Sequence, residues 1–321
     1  MKTIKIKFVD FPHIKGDPRD YWLCKLLSKY YNVELSDHPD YIIDGGLGRD
    51  FYSYDGCIKI ALIGENYAPD FNEFDYAMAF DSIEFGDRYL RMPLFATYSS
   101  FKKLERRNEF MPKPEELLNR GFCSFVVSRS EDPLRAEFFH KLSKYKQVAS
   151  GGRMLNNVGG PVPDKLAFCS KYKFNIAFEN SCVRGYTTEK VMEPLSVYSV
   201  PIYYGNPDIA NDFNTDCMVH IANKADIDKA IEEIIALDKD DDAYLKKVMS
   251  PITALHTYDW YEERLVEFLR HIFDQPVDRA RRLGDYGYQV GVRRRARRMW
   301  KLYLATHPAM WGKTLKKKFG H

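Results

Sequence analysis

Residues 172–205 read YKFNIAFENSCVRGYTTEKVMEPLSVYSVPIYYG. The apolar run Phe174–Phe178 leads into Glu179-Asn180-Ser181, crosses a short Gly-containing loop and enters Tyr186-Thr187-Thr188-Glu189-Lys190 at the head of a helix. A second apolar run, Val200–Tyr204, follows it. Two short, continuously apolar strands joined by a helix are the pattern of a parallel sheet buried on both faces. The free backbone N–H groups of a helix start favour anions, and Lys190 adds a positive charge, so the segment suits a nucleotide diphosphate. The same residues also read as an ordinary N-cap, Thr187 or Thr188, with Lys190 solvated on the helix surface.

The pattern extends in both directions. Further strands are expected at Cys123–Ser128, Gln147–Ala149 and Met218–Ile221, with helices at 133–144, 162–170, 187–197 and 225–237. Upstream, strand-like runs at 3–9, 41–45, 58–63 and 75–80 alternate with helical or loop segments, among them the amphipathic stretch Asp20–Tyr31. Pro93 and the charged segment Lys102–Pro114 interrupt this alternation and mark a candidate crossing between domains. A long helix over 252–272, carrying Leu255, Tyr258, Tyr261, Leu265, Phe268 and Ile272, is expected to close the globular part. The expectation is α/β with two Rossmann-like domains, which suits the GT-B arrangement of two facing domains with ligands at the strand ends. A chain of 321 residues is long enough for two cores.

The six cysteines are far apart with no CxxC spacing and read as reduced core residues of a cytoplasmic protein. The eight histidines have no metal-ligand spacing, and Asp240-Asp241-Asp242 sits in an acidic surface stretch. No metal is therefore expected at the site, and a divalent ion is at most stimulatory. No run reaches the ~18–20 apolar residues of a membrane span, and the alternation over Met1–Asp10 reads as a strand rather than a signal peptide.

The net charge of +3 conceals an asymmetry, because residues 276–321 hold thirteen Lys or Arg against Asp278 and Asp285. The expected division is thus an N-terminal domain over 1–110, a second domain over 111–275 and a basic amphipathic C-terminal tail over 276–321. Within the tail, Arg293, Arg294, Arg295, Arg297, Arg298 and Lys301 alternate with Met299, Trp300, Leu302 and Tyr303, and Lys316–Lys318 follow. That composition suits an anionic membrane surface met through residues 290–321. Nucleic acid is not an expected partner, since the acidic body would repel its backbone.

The run FNxxFENS…YxTEKxxxPL…xPIYxG resembles the donor-binding signature of the α-1,3-fucosyltransferases of glycosyltransferase family ten, shared by bacterial and animal Lewis-antigen enzymes. Gly64-Glu65-Asn66, with Pro69 and the segment Phe74–Phe95, resembles the acceptor-side region of the bacterial members. The resemblance implies an inverting transfer of L-fucose from GDP-β-L-fucose to the 3-OH of N-acetylglucosamine or glucose in an N-acetyllactosamine-type glycan. It implies an acceptor-side first domain and a GDP-fucose-binding second domain, and it makes Glu65 the catalytic base. In Phe122–Ala136 it places the diphosphate-binding arginine at Arg135, with Arg129 as a neighbour able to compete. Lys190 and the Tyr186 hydroxyl are expected at the diphosphate, and Glu179, Asn180 and Glu189 at fucose or ribose hydroxyls. In SGGRMLNNVGG, residues 150–160, the family's arginine falls on Leu155, while this chain has Arg153. The resembling enzymes decorate lipopolysaccharide, which implies a peripheral place at the inner face of the cytoplasmic membrane. A GT-B transferase for another nucleotide sugar and a nonenzymatic sugar-nucleotide or glycan binding module are the alternatives.

Overall fold

The computed structural model describes residues 1–128, 133–252, 256–284 and 286–307. Two compact units make up the chain: the first contains 1–79, 83–91 and residues from 266 onward, the second 80–82 and 92–265.

In the first unit six parallel strands, β1 (Thr3–Val9), β2 (Asn32–Leu35), β3 (Tyr41–Asp44), β4 (Ile58–Leu62), β5 (Tyr76–Ala79) and β6 (Tyr89–Arg91), form a sheet in the order β2-β1-β3-β4-β5-β6. Every residue of β3, β4 and β5 is buried, as parallel strands covered on both faces require. Helix α1 (Trp22–Leu27) buries Leu23, Cys24, Leu26 and Leu27 and is shorter than the amphipathic stretch suggested. Strands β2 and β6 escape sequence reading because they are only four and three residues long and none of their residues except Leu90 is buried.

The second unit repeats the plan with β7 (Gly121–Phe125), β8 (Val148–Ser150), β9 (Tyr172–Phe178), β10 (Val200–Tyr204) and β11 (Val219–His220), in the order β11-β10-β9-β7-β8. All pairings are parallel. Three of its helices are α2 (Pro133–Ser143), α3 (Glu189–Ser196) and α4 (Ile227–Lys239). The inward residues of α2 and α4, including Phe138, Leu142, Ile234 and Leu237, join Phe125, Phe174, Phe178 and Ile202 in one core. In both sheets the strand order reverses at one point, β1/β3 in the first and β7/β9 in the second. Ligands of open α/β sheets gather outside the carboxyl ends of the strands at such reversals.

The unit boundaries differ from the expected division at 110/111 and 275/276. The crossing falls at 91/92, beside Pro93, and residues 92–110 are part of the second unit. The chain returns to the first unit at 265/266, within α5 (Tyr258–Phe273). The described residues between 276 and 307 are not a separate tail, because the first unit uses them structurally. Buried Asp75 accepts the backbone N–H groups of Arg282 and Leu283 at 2.8 Å each. Tyr76 donates its hydroxyl to the Ala280 carbonyl at 2.6 Å. Helix α6 (Tyr288–Thr306) buries Arg293, which donates to the Asn72 carbonyl at 3.2 Å. Arg129, Leu255, Asp285 and Lys316–Lys318 lie outside the described residues. All six cysteines are free thiols, five of them buried and Cys182 exposed.

Candidate active site

Within the second unit, the carboxyl end of β9 and the start of α3 are tied together by Glu179, which is 1% exposed. Its Oε1 accepts from the Thr188 backbone N–H at 2.8 Å, and the Thr188 hydroxyl lies 3.0 and 2.8 Å from its two oxygens. Lys190 Nζ stands 3.3 Å from Glu179 Oε2 and 3.6 Å from Glu189 Oε1. Burial pushes the Glu179 carboxyl up, while the Lys190 charge and the Thr188 hydrogen bonds pull it back. Thr188 is also the N-cap of α3, accepting from Lys190 N. The capping reading of this threonine therefore holds together with the ionic one. Lys190 is not a solvated surface lysine, since it is held between two carboxylates and is only partly exposed.

Arg135 projects from the first turn of α2, the helix that follows β7, and is buried. Its Nη2 donates to the Phe178 carbonyl at 2.8 Å and to Asn180 Oδ1 at 2.9 Å. This one nitrogen links α2 to the residues that end β9, and Asn180 itself is exposed. Tyr186 is buried with its ring edge-on to Phe80 at 5.2 Å. Gly185, just before it, has φ +79°, and a Cβ there would lie 2.6 Å from the Phe80 carbonyl oxygen, so the turn demands glycine. Arg135, Glu179, Asn180, Glu189 and Lys190 thus gather at the reversal of the second sheet. Arg153 is exposed, whereas Leu155, at φ 52°, packs toward the core of this unit.

Glu65 belongs to the first unit, three residues beyond the carboxyl end of β4, and is exposed. Its backbone carbonyl accepts from Tyr67 N at 2.9 Å. Among the described residues its side chain accepts no hydrogen bond, so it is not a turn carboxylate satisfied by backbone N–H groups. Close by in the fold, Asp10 and Asp44 end β1 and β3 at the reversal of the first sheet, both buried. Burial, then hydrogen bonding to Asp10 and its charge, raises the Asp44 carboxyl to about 8. Asp10 Oδ2 accepts from Asp50 N at 2.8 Å and Asp44 Oδ2 from Gly46 N at 2.9 Å. Tyr67 covers Gly46 so closely that a Cβ there would overlap its hydroxyl, and burial with the charges of Asp44, Asp10 and Glu65 raises that phenol.

Sequence reading missed the acid pair, because single aspartates at strand ends give no spacing signal. It also missed Asn206, which accepts from Gly185 N at 2.8 Å and Asp208 N at 2.9 Å and donates to Thr187 Oγ1 at 3.0 Å, fixing the loop before α3. The Gly205-Asn206 pair closing β10 was the available signal. Among the described residues no group of three or more His, Cys, Asp or Glu is placed to hold a metal ion.

Comparison with known proteins gives a consistent answer across both units. The N-terminal domain of α-(1,3)-fucosyltransferase FucT matches residues 6–98, and the C-terminal part of glycosyltransferase family 10 (fucosyltransferase) matches 119–249. An α-(1,3)-fucosyltransferase FucT of Helicobacter pylori is 32% identical over 277 residues, 75% of this chain and 58% of that protein. GDP-fucose protein O-fucosyltransferase 3 of Bos taurus is 28% identical over 56% of this chain and 39% of its own length. The chain therefore spans little more than half the length of the first of these relatives and less of the second. A crystal structure of an α1,3-fucosyltransferase superposes with TM-score 0.75 at 29% identity, covering 86% of this chain and 92% of that one. A crystal structure of an α1,3-fucosyltransferase with GDP-fucose gives 0.70 at 28% identity, with 86% and 92% covered. With both of its sheets, but for the start of β1, inside matched family regions and its strand ends carrying the motifs that drew the resemblance, the chain belongs to the glycosyltransferase family 10 fucosyltransferases.

Proposed function

We propose that this chain transfers L-fucose from GDP-β-L-fucose to the 3-OH of N-acetylglucosamine or glucose in an N-acetyllactosamine-type acceptor, inverting the anomeric centre. The observation that carries the reading is the assembly of Arg135, Asn180, Glu179, Thr188 and Lys190 around the carboxyl end of β9 and the start of α3. That is where an α/β unit receives a nucleotide, and a solved family relative carries GDP-fucose.

In this reaction Glu65 takes the proton of the acceptor hydroxyl as its oxygen attacks C1 of fucose. The bond from C1 to the β-phosphate oxygen breaks, and GDP leaves with the electron pair. Arg135 offers a planar fork to the diphosphate. The N-terminal N–H groups of α3 add a partial positive charge. Lys190 contributes less than a free ammonium would, because Glu179 and Glu189 already neutralise it. Glu189 and Asn180, both reachable by solvent, serve the sugar hydroxyls. The exposed Met299, Leu302 and Tyr303 of α6 beside its arginines favour peripheral contact with an anionic membrane carrying the acceptor. No helix among the described residues is long and apolar enough to cross a membrane.

The test is product analysis: GDP-fucose and N-acetyllactosamine should give a trisaccharide whose NMR spectrum shows an α-fucose on O3. GDP-fucose bound but never consumed would leave a binding module, and turnover of another nucleotide sugar would leave a different transferase.

A further inference from the structure

A cavity of about 600 Å³ lies in the first unit between α6 and the amino ends of β4 and β5. Cys57 and Lys59 line it at the start of β4 and Asp75 at the start of β5, while Arg281 and the residues of α6 close it. Glu65 and Asp10 follow the carboxyl ends of β4 and β1, and Asp44 is the last residue of β3, in the same parallel sheet. The cavity is therefore at the opposite, amino-terminal end of the strands of that sheet, a strand length away.

Its lining holds seven cationic side chains and two carboxylates. Asp75 is already committed to three backbone N–H groups, those of Lys59, Arg282 and Leu283. Asp55 is paired with Arg297. Lys59, 3% exposed, donates its ammonium to the Phe51 carbonyl at 3.0 Å and feels the buried Glu73 carboxylate through space. Arg293, 8% exposed, rests on the carbonyls of Asn72 and Gly284. Arg294, Arg298 and Lys301 recur at the i, i+4, i+7 spacing of one helix face and have no hydrogen-bond or ion-pair partner among the described residues. Like charges at that spacing destabilise a helix, and the two buried cations, hydrogen-bonded to carbonyls and sharing the single nearby Glu73 carboxylate, retain part of their desolvation cost. An anion in the cavity offsets both.

We propose that this cavity is a binding site for a phosphate-class polyanion, either a soluble phosphate or diphosphate or the phosphate of a lipid headgroup. Several guanidinium forks around one space match the bidentate geometry of phosphate oxygens. The volume suits a small ligand, and the excess of cations over carboxylates suits a multivalent one.

The experiment is calorimetric titration of the full chain with inorganic pyrophosphate at low salt, in the presence of saturating GDP so that any donor site is filled. Saturable binding is expected, weakened at least tenfold in Arg294→Ala/Arg298→Ala/Lys301→Ala, whose affinity for GDP and circular dichroism are unchanged. Absence of binding, or equal affinity in the triple variant, overturns the proposal. Flotation with vesicles of phosphatidylcholine with or without phosphatidylglycerol separates the sources. Pyrophosphate displaces the chain from anionic vesicles if a headgroup occupies the cavity, and leaves vesicle binding untouched if the ligand is soluble. Because GDP is already present, failure here leaves the fucosyl-transfer reading intact, and failure of that reading leaves this site testable.

Discussion

Lys190→Met removes the cation beside a fully buried carboxylate while keeping a long side chain on α3. At 3.3 Å the Glu179–Lys190 attraction is about 5 kcal/mol for an effective dielectric of about 20. Breaking one side of a buried pair typically costs roughly 3–5 kcal/mol, because the remaining charge is stranded. Glu179 keeps the Thr188 N–H and hydroxyl as partners, which places the expected loss toward the lower end of that range. For a unit of this size each kcal/mol shifts the melting temperature by about 2–4 °C. Urea unfolding followed by circular dichroism should therefore show a clear loss for Lys190→Met. Glu179→Gln preserves the shape and can still accept the Thr188 N–H, so adding it to Lys190→Met should restore most of the stability. A cost below about 1 kcal/mol for Lys190→Met, or no recovery in the double variant, refutes the view that this lysine serves the carboxylate as well as the donor.

Other consequences are equally specific. Arg135→Ala, and nearly as strongly Arg135→Lys, should weaken GDP binding at least tenfold by calorimetry, because a fork and not merely a charge is required; unchanged affinity moves the diphosphate elsewhere. The Asp44 carboxyl sits at about 8 in the folded chain, well above its unfolded value of about 3.9. The folded state thus holds a proton that the unfolded state releases, and stability should fall as pH rises from about 4 to 8 and then level off. Asp44→Asn should flatten that decline between about pH 5 and 8, and an identical pH profile in the variant counts against the buried acid pair. Met299→Ser/Leu302→Ser should reduce flotation with phosphatidylglycerol vesicles at low salt, and undiminished flotation removes α6 as the contact. Truncation after Gln275 is the poorer test, since it strips Asp75 of two N–H donors.

The second unit was largely legible in the sequence because its strands are continuous apolar runs and its helices keep their period. The Phe174–Phe178 and Val200–Tyr204 runs fall within β9 and β10, and the helix expected at 187–197 forms over Glu189–Ser196. Short edge strands carry too few buried residues to register, which hid β2 and β6. The end of the chain misled for a different reason. Composition reports that residues 276–321 are basic, but not that Asp75 and the Asn72 carbonyl wait in the first unit for the backbone of Arg282 and the guanidinium of Arg293. At the site, the residues Arg135, Glu179, Asn180, Glu189 and Lys190 were legible as a group through the motif, and their proximity follows from the β7/β9 reversal. What the motif could not convey is that Lys190 is shared with two carboxylates, or that Asp10 and Asp44 meet at the other sheet's reversal. The Glu179–Lys190 and Asp10–Asp44 pairings each join residues from different elements and leave no local pattern.

The most direct test of the account is a single assay of the full chain and Glu65→Gln with GDP-fucose and N-acetyllactosamine, measuring GDP and fucosylated trisaccharide together by mass spectrometry. The full chain should release one GDP for each trisaccharide formed, and Glu65→Gln should bind GDP normally while forming product about 10²–10⁴-fold more slowly, the scale for loss of a general base. No trisaccharide from the full chain, or near-normal turnover in Glu65→Gln, would contradict it.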